Sequence, residues 1–254
     1  MNKKIKKSLL KLVVIKPFSD LVSHLYSYIN KERYKRALIK SPILKFSVSQ
    51  YWDRVPMYAA IYNFFEQLSK KENLKNKIAI EIGGSEGSIK AILEKFGVNY
   101  KVADNFPEVD IHHLPYDNNS FDFLITDQIL EHVEKPWVAA KEIFRVLKPG
   151  GISVATGPFM IGDHGCENWK DYYRFTPDGW RSLFSDFEIL EAEGWGNDLV
   201  VKAILDRSVI GTTFGETIPI NEVLVKNFFE INDNKNYLVT WCIARKPSLN
   251  MLVP

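Results

Sequence analysis

The sequence has few cysteines, no long apolar run and little net charge. Its two cysteines, Cys166 and Cys242, lie far apart and outside any metal-binding spacing, so we expect reduced thiols rather than a disulfide framework or a zinc cluster. No apolar run is long enough to span a bilayer. With 254 residues, of which 46% are hydrophobic and 25% charged, the chain can form one large α/β domain with an extension. Together these features predict a cytoplasmic globular protein.

The first part of the chain is basic. Residues 1–75 contain 16 Lys or Arg and 5 Asp or Glu, and the remainder is acidic, so the net charge of +2 conceals an asymmetry. Residues 5–15 have apolar side chains at helical intervals with lysines on the other side, which predicts a short amphipathic helix. Lys11 interrupts the apolar part and no small-residue cleavage site follows, so we do not interpret it as a secretion signal.

This basic arm has several alternative uses. It can pack on the acidic body of the protein, contact a second subunit in a homodimer, bind an anionic substrate, or lie on an anionic membrane surface as a peripheral contact. Packing on the body is the interpretation that we rank first. We therefore assign residues 1–75 to a helical basic N-terminal extension or lid, and residues 76–254 to the main domain.

A strand, a glycine-rich turn and a helix are predicted around residue 83. Residues 77–82 are a short apolar run that includes Glu81, which indicates a buried strand. Residues 88–96 have apolar positions at helical spacing, and Gly97 predicts the helix end. Between them lie Gly83, Gly84, Ser85 and Gly87. A turn of this kind lets a ligand approach the backbone and meet N–H groups at a helix start.

A second strand at 100–103 ends in Asp104, which Asn105 follows. An acidic residue at the end of the second strand can bind both hydroxyls of a ribose. Together with the glycine turn, Asp104 predicts a nucleoside-bearing cofactor.

The motifs that come next resemble those of one family. D-x-x-x-L-P-Y begins at Asp110, S-F-D at Ser120, L-x-H-V at Leu130 and R-V-L-K-P-G-G at Arg145. In this order they resemble the class I S-adenosylmethionine-dependent methyltransferases, in particular the methyltransferase type 11 group, over roughly residues 77–190. The glycine pattern of that family has a glycine where this chain has Ser85, which adds a small side chain close to the methionine part of the cofactor.

The resemblance implies a Rossmann-like class I methyltransferase fold, with S-adenosyl-L-methionine as the cofactor. The positions discussed above, together with the loop after Asp104 and the end of the strand predicted at 121–126, provide the candidate cofactor contacts. These contacts are Glu81, Gly83, Gly84, Ser85, Gly87, Asp104, Asn105, Asp110, Ile111, His112, Asp127, Gln128 and His132.

The predicted sheet is shorter than the standard one. Parallel neighbouring strands need a crossover of about a dozen residues, and the link from Asp104 to Asp110 is too short for it. We therefore predict that the helix between strands 2 and 3 is missing, and that strand 3 is absent or an edge fragment. Residues 105–113 are predicted to cover the adenine, with Asp110 near its amino group or, alternatively, in solvent. The sheet is predicted to be mostly parallel, with an antiparallel last strand at 237–245.

Further elements follow from local patterns. Helices are predicted at 58–68, 137–147 and 176–184, the second beginning at Pro136 and the third with Thr176 as its cap. Strands are predicted at 152–156 and 187–190, and residues 148–151 are predicted to form the turn that enters the first of them.

Residues 157–180 form the segment that we expect to contact the acceptor. It follows a central strand and is rich in glycine, aromatic and titratable residues, and long irregular segments at this place are usually functional. Its P-F-x-x-x-x-H pattern from Pro158 and its D-Y-x-R-F-T pattern from Asp171 resemble methyltransferases of bacterial surface-polysaccharide and capsule gene clusters. We take this segment as an acceptor-side insertion in the domain.

His164 is the first candidate for the catalytic base, because its ordinary pKa suits proton removal from a hydroxyl. The alternative is a turn histidine that orders the segment, and Asp171 with Arg174 could form an internal ion pair. His132 is expected to shield the cofactor rather than act as a base. The predicted acceptor contacts are Phe159, Tyr172, Tyr173, Arg174, Tyr51 and Arg54. A metal site is not expected, since the spacing of His112, His113, His132 and His164 matches no ligand pattern.

The predicted function is O-methylation of a small anionic precursor, nucleotide-linked or phosphorylated, in capsule or surface polysaccharide biosynthesis. The alternative is a catalytically weak S-adenosylmethionine-binding subunit of a glycan-assembly complex. A nucleic-acid substrate is not expected, because the net charge is modest and the chain lacks the N-P-P-[YF] motif of the amino-directed DNA methyltransferases.

Overall fold

The computed structural model describes residues 54–84, 87–103, 108–198, 201, 232–233 and 235–248. The chain divides into two compact units, residues 1–56 with 196–236 and residues 57–195 with 237–254. The helix predicted at 5–15 lies outside the described residues, whereas the one predicted at 58–68 is present as part of a helix at Val55–Lys71. The second unit includes residues 57–75, which the sequence analysis assigned to the extension, and the division at residue 75 stays a prediction.

The second unit is built on a six-stranded sheet with the order β2-β1-β3-β4-β6-β5. The strands are β1 Ile78–Ile82, β2 Asn99–Ala103, β3 Phe121–Asp127, β4 Leu147–Pro158, β5 Glu188–Trp195 and β6 Val239–Arg245. Strands β1 to β4 pair in parallel, and β6 lies antiparallel between β4 and β5. The predicted Rossmann-like sheet, mostly parallel with an antiparallel last strand, is confirmed.

Four α-helices and one short 3₁₀ helix accompany the strands in the described ranges. The α-helices are α1 Val55–Lys71, α2 Ser88–Lys95, α3 Pro136–Val146 and α4 Pro177–Leu183, and the 3₁₀ helix is Leu130–His132. The predicted cap is present, since Oγ1 of Thr176 accepts the N–H of Gly179 at 2.9 Å. None of the helices in the described ranges is long and apolar enough to cross a bilayer.

The crossover helix between β2 and β3 is absent from the described residues of that link, 108–120. Only an isolated bridge between Asp110 and His113 is present there. Arg145 of α3 fixes this link by donating hydrogen bonds to the carbonyl oxygens of Tyr116 at 2.7 Å and Leu114 at 2.9 Å. These hydrogen bonds hold the described part of the link in place without a helix.

Two boundaries differ from the sequence analysis. Residues 148–151 lie inside β4 instead of forming a separate turn, because the N–H of Gly150 donates to Lys246 and the N–H of Lys246 donates to Gly151, each at 2.8 Å. Gly150 has a φ of 80°, which favours glycine. Strand β5 continues to Trp195 rather than ending at 190, since β6 provides an antiparallel partner along that whole length.

Aromatic side chains anchor the helices on the sheet. The rings of Phe65 in α1 and Phe123 in β3 meet edge to face with centroids 5.4 Å apart. Trp180 of α4 is fully buried, and its Nε1 donates to Oγ1 of Thr240 at 2.9 Å. Because a buried tryptophan needs a partner for its N–H, this bond fixes the position of α4 against β6.

In the first unit, the described residues near Asp233 form a turn. Oδ1 of Asp233 accepts the backbone N–H of Asn236 at 2.8 Å and that of Lys235 at 3.0 Å. Hydrogen bonds from the backbone and side chain of Asn236, and then from Lys235, lower the pKa of Asp233 to about 2.

Candidate functional site

The first two glycines of the turn after β1 have no room for side chains. Gly83 has a φ of 72°, and a Cβ there would lie 2.8 Å from Cδ1 of Ile129. A Cβ on Gly84 would lie 1.9 Å from Oε1 of Glu81. Only glycine therefore fits at either position, and the backbone here can come close to a ligand. Ser85, the predicted departure from the family pattern, lies outside the described residues.

Glu81 is buried at the end of β1, with 2% of the residue exposed. Its Oε2 accepts a hydrogen bond of 2.9 Å from the phenol of Tyr100 on β2. Burial, and then the charge of Glu81, raises the pKa of Tyr100 well above its usual value. Tyr100 therefore stays a hydrogen-bond donor that orients the Glu81 carboxylate beside the glycine turn.

Asp127 connects the carboxyl ends of β3 and β4 to α1. Its Oδ2 accepts the phenol of Tyr58 at 2.8 Å, and its Oδ1 accepts the hydroxyl of Thr156 at 2.5 Å. The backbone N–H of Gln128, which has a φ of 58°, donates to the same Thr156 hydroxyl at 3.1 Å. A Cβ on Gly87 would lie 3.8 Å from Oδ2 of Asp127. The structure thus brings Gly87, Asp127 and Gln128 to one edge of the sheet.

Asp110 is paired with His112 in the loop before β3. Its Oδ1 accepts the backbone N–H of His112 at 2.9 Å and lies 2.7 Å from the ring Nδ1. Nε2 of His112 accepts the N–H of Lys135 at 3.4 Å, so Nδ1 is the nitrogen that donates. Partial burial opposes ionisation of Asp110, but the hydrogen bonds from His112 outweigh it and lower the pKa of Asp110. Ile111 is 6% exposed and packs in the core.

The predicted ribose ligands, Asp104 and Asn105, lie outside the described residues. The contacts of Asp110, Ile111 and His112 with an adenine therefore stay predictions.

His132 joins this edge of the sheet to the acceptor segment. It lies in the 3₁₀ helix after β3, and its Nδ1 donates to the carbonyl of Lys170 at 2.7 Å. Its ring meets the rings of His164 and Trp169 edge to face, with centroids 4.7 Å and 4.3 Å apart. Burial lowers the pKa of His132. The predicted shielding position of His132 is compatible with these contacts.

His164 is oriented by Asp171. Oδ2 of Asp171 lies 3.0 Å from Nδ1 of His164 and accepts the backbone N–H of the same histidine at 3.0 Å. The Asp171 side chain is 2% exposed and forms an ion pair with Arg174. Hydrogen bonds from Arg174 keep the pKa of Asp171 well below its usual value, although burial opposes this. The internal ion pair that the sequence analysis left open is therefore present.

The other predicted acceptor residues have different surroundings. The ring of Phe159 meets that of Tyr237 edge to face, and Tyr172 is 47% exposed. The phenol of Tyr173 donates to the carbonyl of Glu134 at 2.9 Å. Tyr51 lies outside the described residues, and Arg54 belongs to the first unit. Arg174 is engaged by Asp171, and its contact with an acceptor stays a prediction.

The sequence analysis did not select Tyr58, Tyr100 or Thr156 as site residues. Tyr58 lies in an apolar helix pattern and Thr156 in a strand, so a role in packing was enough to explain each of them. For Tyr100, the one available signal was its place on β2, the strand next to the one that contains Glu81.

Comparison with known proteins supports a methyltransferase domain. A family model described as a methyltransferase domain matches residues 71–155. An uncharacterized methyltransferase of Mycolicibacterium gilvum is 24% identical over 123 residues, covering 39% of this chain and 48% of that protein. One of Mycolicibacterium vanbaalenii is 26% identical over 104 residues, covering 34% of this chain and 41% of that protein. The matched part thus spans less than half the length of these two relatives.

Solved structures that match this chain include an S-adenosylmethionine-dependent methyltransferase from Mesorhizobium loti. It has 13% sequence identity and a TM-score of 0.46, and the match covers 79% of this chain and 99% of that one. A methyltransferase of the same class from Methanosarcina mazei has 15% identity and a TM-score of 0.40, with 68% of this chain and 94% of that one covered. The family match and the named relatives support a methyltransferase domain in this part of the chain.

Proposed function

We propose that this protein transfers the methyl group of S-adenosylmethionine to an oxygen atom of a small anionic acceptor. The acceptor would be a nucleotide-linked or phosphorylated precursor of capsule or other surface polysaccharide. The observation that supports this proposal best is the pairing of His164 with Asp171, next to the 3₁₀ helix that follows β3. A histidine oriented by a carboxylate is suited to remove a proton from a hydroxyl.

The residues at the glycine turn fit this cofactor. The Glu81 carboxylate fills the space that a side chain on Gly84 would need, so glycine is required where the chain leaves β1 for the proposed cofactor turn. We propose that the turn holds the methionine part, Asp104 the ribose, and the loop with Asp110 and His112 the adenine. When bound, S-adenosylmethionine supplies a methyl group that is already activated by its sulfonium.

His164 would accept the proton of the acceptor hydroxyl as the new bond forms. If Nδ1 donates to Asp171, Nε2 keeps the lone pair that a base needs. The charge of Asp171 stabilises the imidazolium that results. The rings of His132 and Trp169 both meet the ring of His164 edge to face. Alignment of the acceptor with the methyl group and proton removal are then the two contributions of this chain.

We propose that Tyr172, which is exposed, contacts the acceptor together with Phe159 and Tyr173. Arg174 is already paired with Asp171. It would therefore attract an anionic acceptor only through the part of its positive charge that Asp171 leaves unneutralised. The protein is proposed to be cytoplasmic and to act on small molecules rather than nucleic acid. Contact of the basic residues 1–75 with a second subunit or a membrane surface belongs to the same proposal.

The test is transfer of a labelled methyl group to a panel of nucleotide sugars and sugar phosphates. Wild type should form a labelled product, and His164→Ala should lower kcat by about 10²–10⁴-fold with unchanged affinity for S-adenosylhomocysteine. The control is His113→Ala, an exposed histidine outside the His164 cluster. Equal kcat in wild type and His164→Ala would exclude His164 as the base.

The alternative function, a catalytically weak subunit that binds S-adenosylmethionine, predicts another result in the same assay. Wild type would then bind S-adenosylhomocysteine but transfer no label to any acceptor. No binding at all would contradict both functions.

A further inference from the structure

We propose that Glu131, His132 and His164 form a binding site for a divalent transition-metal ion of the zinc type. One ligand atom from each of these residues lies within 4.8 Å of the others. The 3₁₀ helix Leu130–His132 provides two of the ligands, and the acceptor segment provides the third. The proposal rests on this geometry and does not depend on methyl transfer.

The distances are close to those that a metal ion requires. Nε2 of His132 lies 3.8 Å from Oε1 of Glu131. A tetrahedral ion with bonds of about 2.0–2.2 Å separates its ligand atoms by about 3.3 Å. The ligand atoms would therefore need to move together by at most about 1.5 Å, which side-chain rotation can provide.

His132 has the partner that metal-binding histidines have, since its Nδ1 donates to the carbonyl oxygen of Lys170 at 2.7 Å. Nδ1 of His164 lies 3.0 Å from the carboxylate of Asp171 and 3.4 Å from Nη2 of Arg174, and it takes the same role when it donates to Asp171. Histidine ligands almost always donate their second ring N–H to a carbonyl or a carboxylate, which fixes the tautomer and the ring orientation. In both residues Nε2 is then the nitrogen that would bind the ion.

The ligand set indicates the class of ion. Two imidazoles and one carboxylate suit Zn²⁺, Co²⁺ or Ni²⁺ better than Mg²⁺ or Ca²⁺, which prefer oxygen ligands. The histidine side chains are 16% and 23% exposed, so an ion can enter from solvent, whereas the Glu131 side chain is 1% exposed. Three protein ligands leave at least one coordination position for water or another ligand.

The spacing of histidines along the chain did not reveal this site. His112 is paired with Asp110, and His113 is not one of the three clustered residues, so the four histidines considered in the sequence analysis do not converge. His164 cannot be a metal ligand and a proton acceptor in the same molecule, because both roles use the lone pair of Nε2. For this reason the test measures metal binding alone, without an acceptor or methyl transfer.

The experiment is calorimetric titration of Zn²⁺ into the full chain without a polyhistidine tag, together with titration of Co²⁺ followed by visible absorption. One ion per chain should bind, with a Co²⁺ spectrum of nitrogen and oxygen ligation. His132→Ala and His164→Ala should each weaken binding by at least about 100-fold, and Asp171→Asn by about 10–100-fold. His113→Ala and Cys166→Ser are matched controls and should bind as wild type does.

Several results would overturn the proposal. One is the absence of saturable binding of Zn²⁺ and Co²⁺ to wild type. Another is equal affinity in wild type, His132→Ala and His164→Ala, all with the same thermal unfolding midpoint. A thiolate charge-transfer band in the wild-type Co²⁺ spectrum would assign the ion to an exposed thiol such as Cys166 instead. This spectrum keeps the test decisive even if a histidine variant fails to fold.

Discussion

The carboxylate of Asp171 contacts His164 at two atoms, with Oδ2 3.0 Å from the ring Nδ1 and 3.0 Å from the backbone nitrogen. This side chain holds the backbone of the histidine and lies beside its ring, where Nη2 of Arg174 is also 3.4 Å from Nδ1. The ion pair with Arg174 keeps Asp171 charged and fixed. This arrangement explains how a segment without regular secondary structure can hold the proposed base in a defined position.

We predict that Asp171→Asn lowers kcat on the order of 10²-fold, because a neutral amide can turn the His164 ring or stabilise the wrong tautomer. The KM for S-adenosylmethionine should stay unchanged, since Asp171 is not among the cofactor contacts. Steady-state kinetics with an acceptor found in the labelling assay measures both values. Asp178→Asn is the control, as that carboxylate is 94% exposed and pairs with Arg181. An unchanged kcat in Asp171→Asn would contradict the orienting role.

The same carboxylate makes stability depend on pH. The pKa of Asp171 is lower in the folded protein than in the unfolded chain, so its contribution is present above about pH 4 and is lost as the pH falls. The difference in unfolding free energy between wild type and Asp171→Asn should therefore shrink as pH falls from about 5 to about 2. Urea unfolding of the two proteins at several pH values tests this, and a difference that stays constant over this range would contradict it.

Much of the fold could be predicted because its signals are local. The glycine turn at Gly83, the helix cap at Thr176 and the short link to Asp110 each depend on a few neighbouring residues. The missing crossover followed from a length argument alone. The extent of β5 to Trp195 could not be predicted, because it depends on pairing with β6, about fifty residues later in the chain.

The partners in the candidate site were less predictable for the same reason. The hydrogen bond between Tyr58 and Asp127 spans 69 positions, and the one between Tyr100 and Glu81 spans 19. A tyrosine in an apolar helix is usually explained by packing. No local pattern distinguishes such a tyrosine from one that donates a hydrogen bond to a carboxylate of the site. The convergence of Glu131 and His132 with His164 likewise depends on tertiary structure rather than spacing.

We predict that Tyr100→Phe destabilises the folded protein by about 1–3 kcal/mol, because the buried Glu81 carboxylate loses the phenol as a donor. Chemical unfolding at neutral pH measures the change in the free energy of unfolding. Tyr172→Phe removes the same atom from a side chain that is 47% exposed and should leave stability nearly unchanged. Equal stability of the two variants would show that the bond to Glu81 has no net effect.

The two cysteines should differ strongly in reactivity. Burial raises the pKa of Cys242 to about 12, so almost no thiolate is present at neutral pH, and the thiol is also shielded by the sheet. Cys166 is exposed. We expect iodoacetamide to modify one cysteine, Cys166, in the native protein and both after denaturation, as read by peptide mass spectrometry. Rapid modification of Cys242 in the native state would contradict the position of β6 in the sheet.

The central claim is that the glycine turn after β1 binds the cofactor, and calorimetric titration of S-adenosylhomocysteine tests it most directly. The titration compares wild type with Gly84→Ala, in which the new Cβ must displace Glu81, and with Gly162→Ala, which has nothing within 4 Å of the added atom. We predict that wild type and Gly162→Ala bind one ligand per chain with equal affinity, and that Gly84→Ala loses at least about 1.4 kcal/mol, or tenfold. Absence of binding to wild type, or equal affinity in all three proteins, would contradict the account.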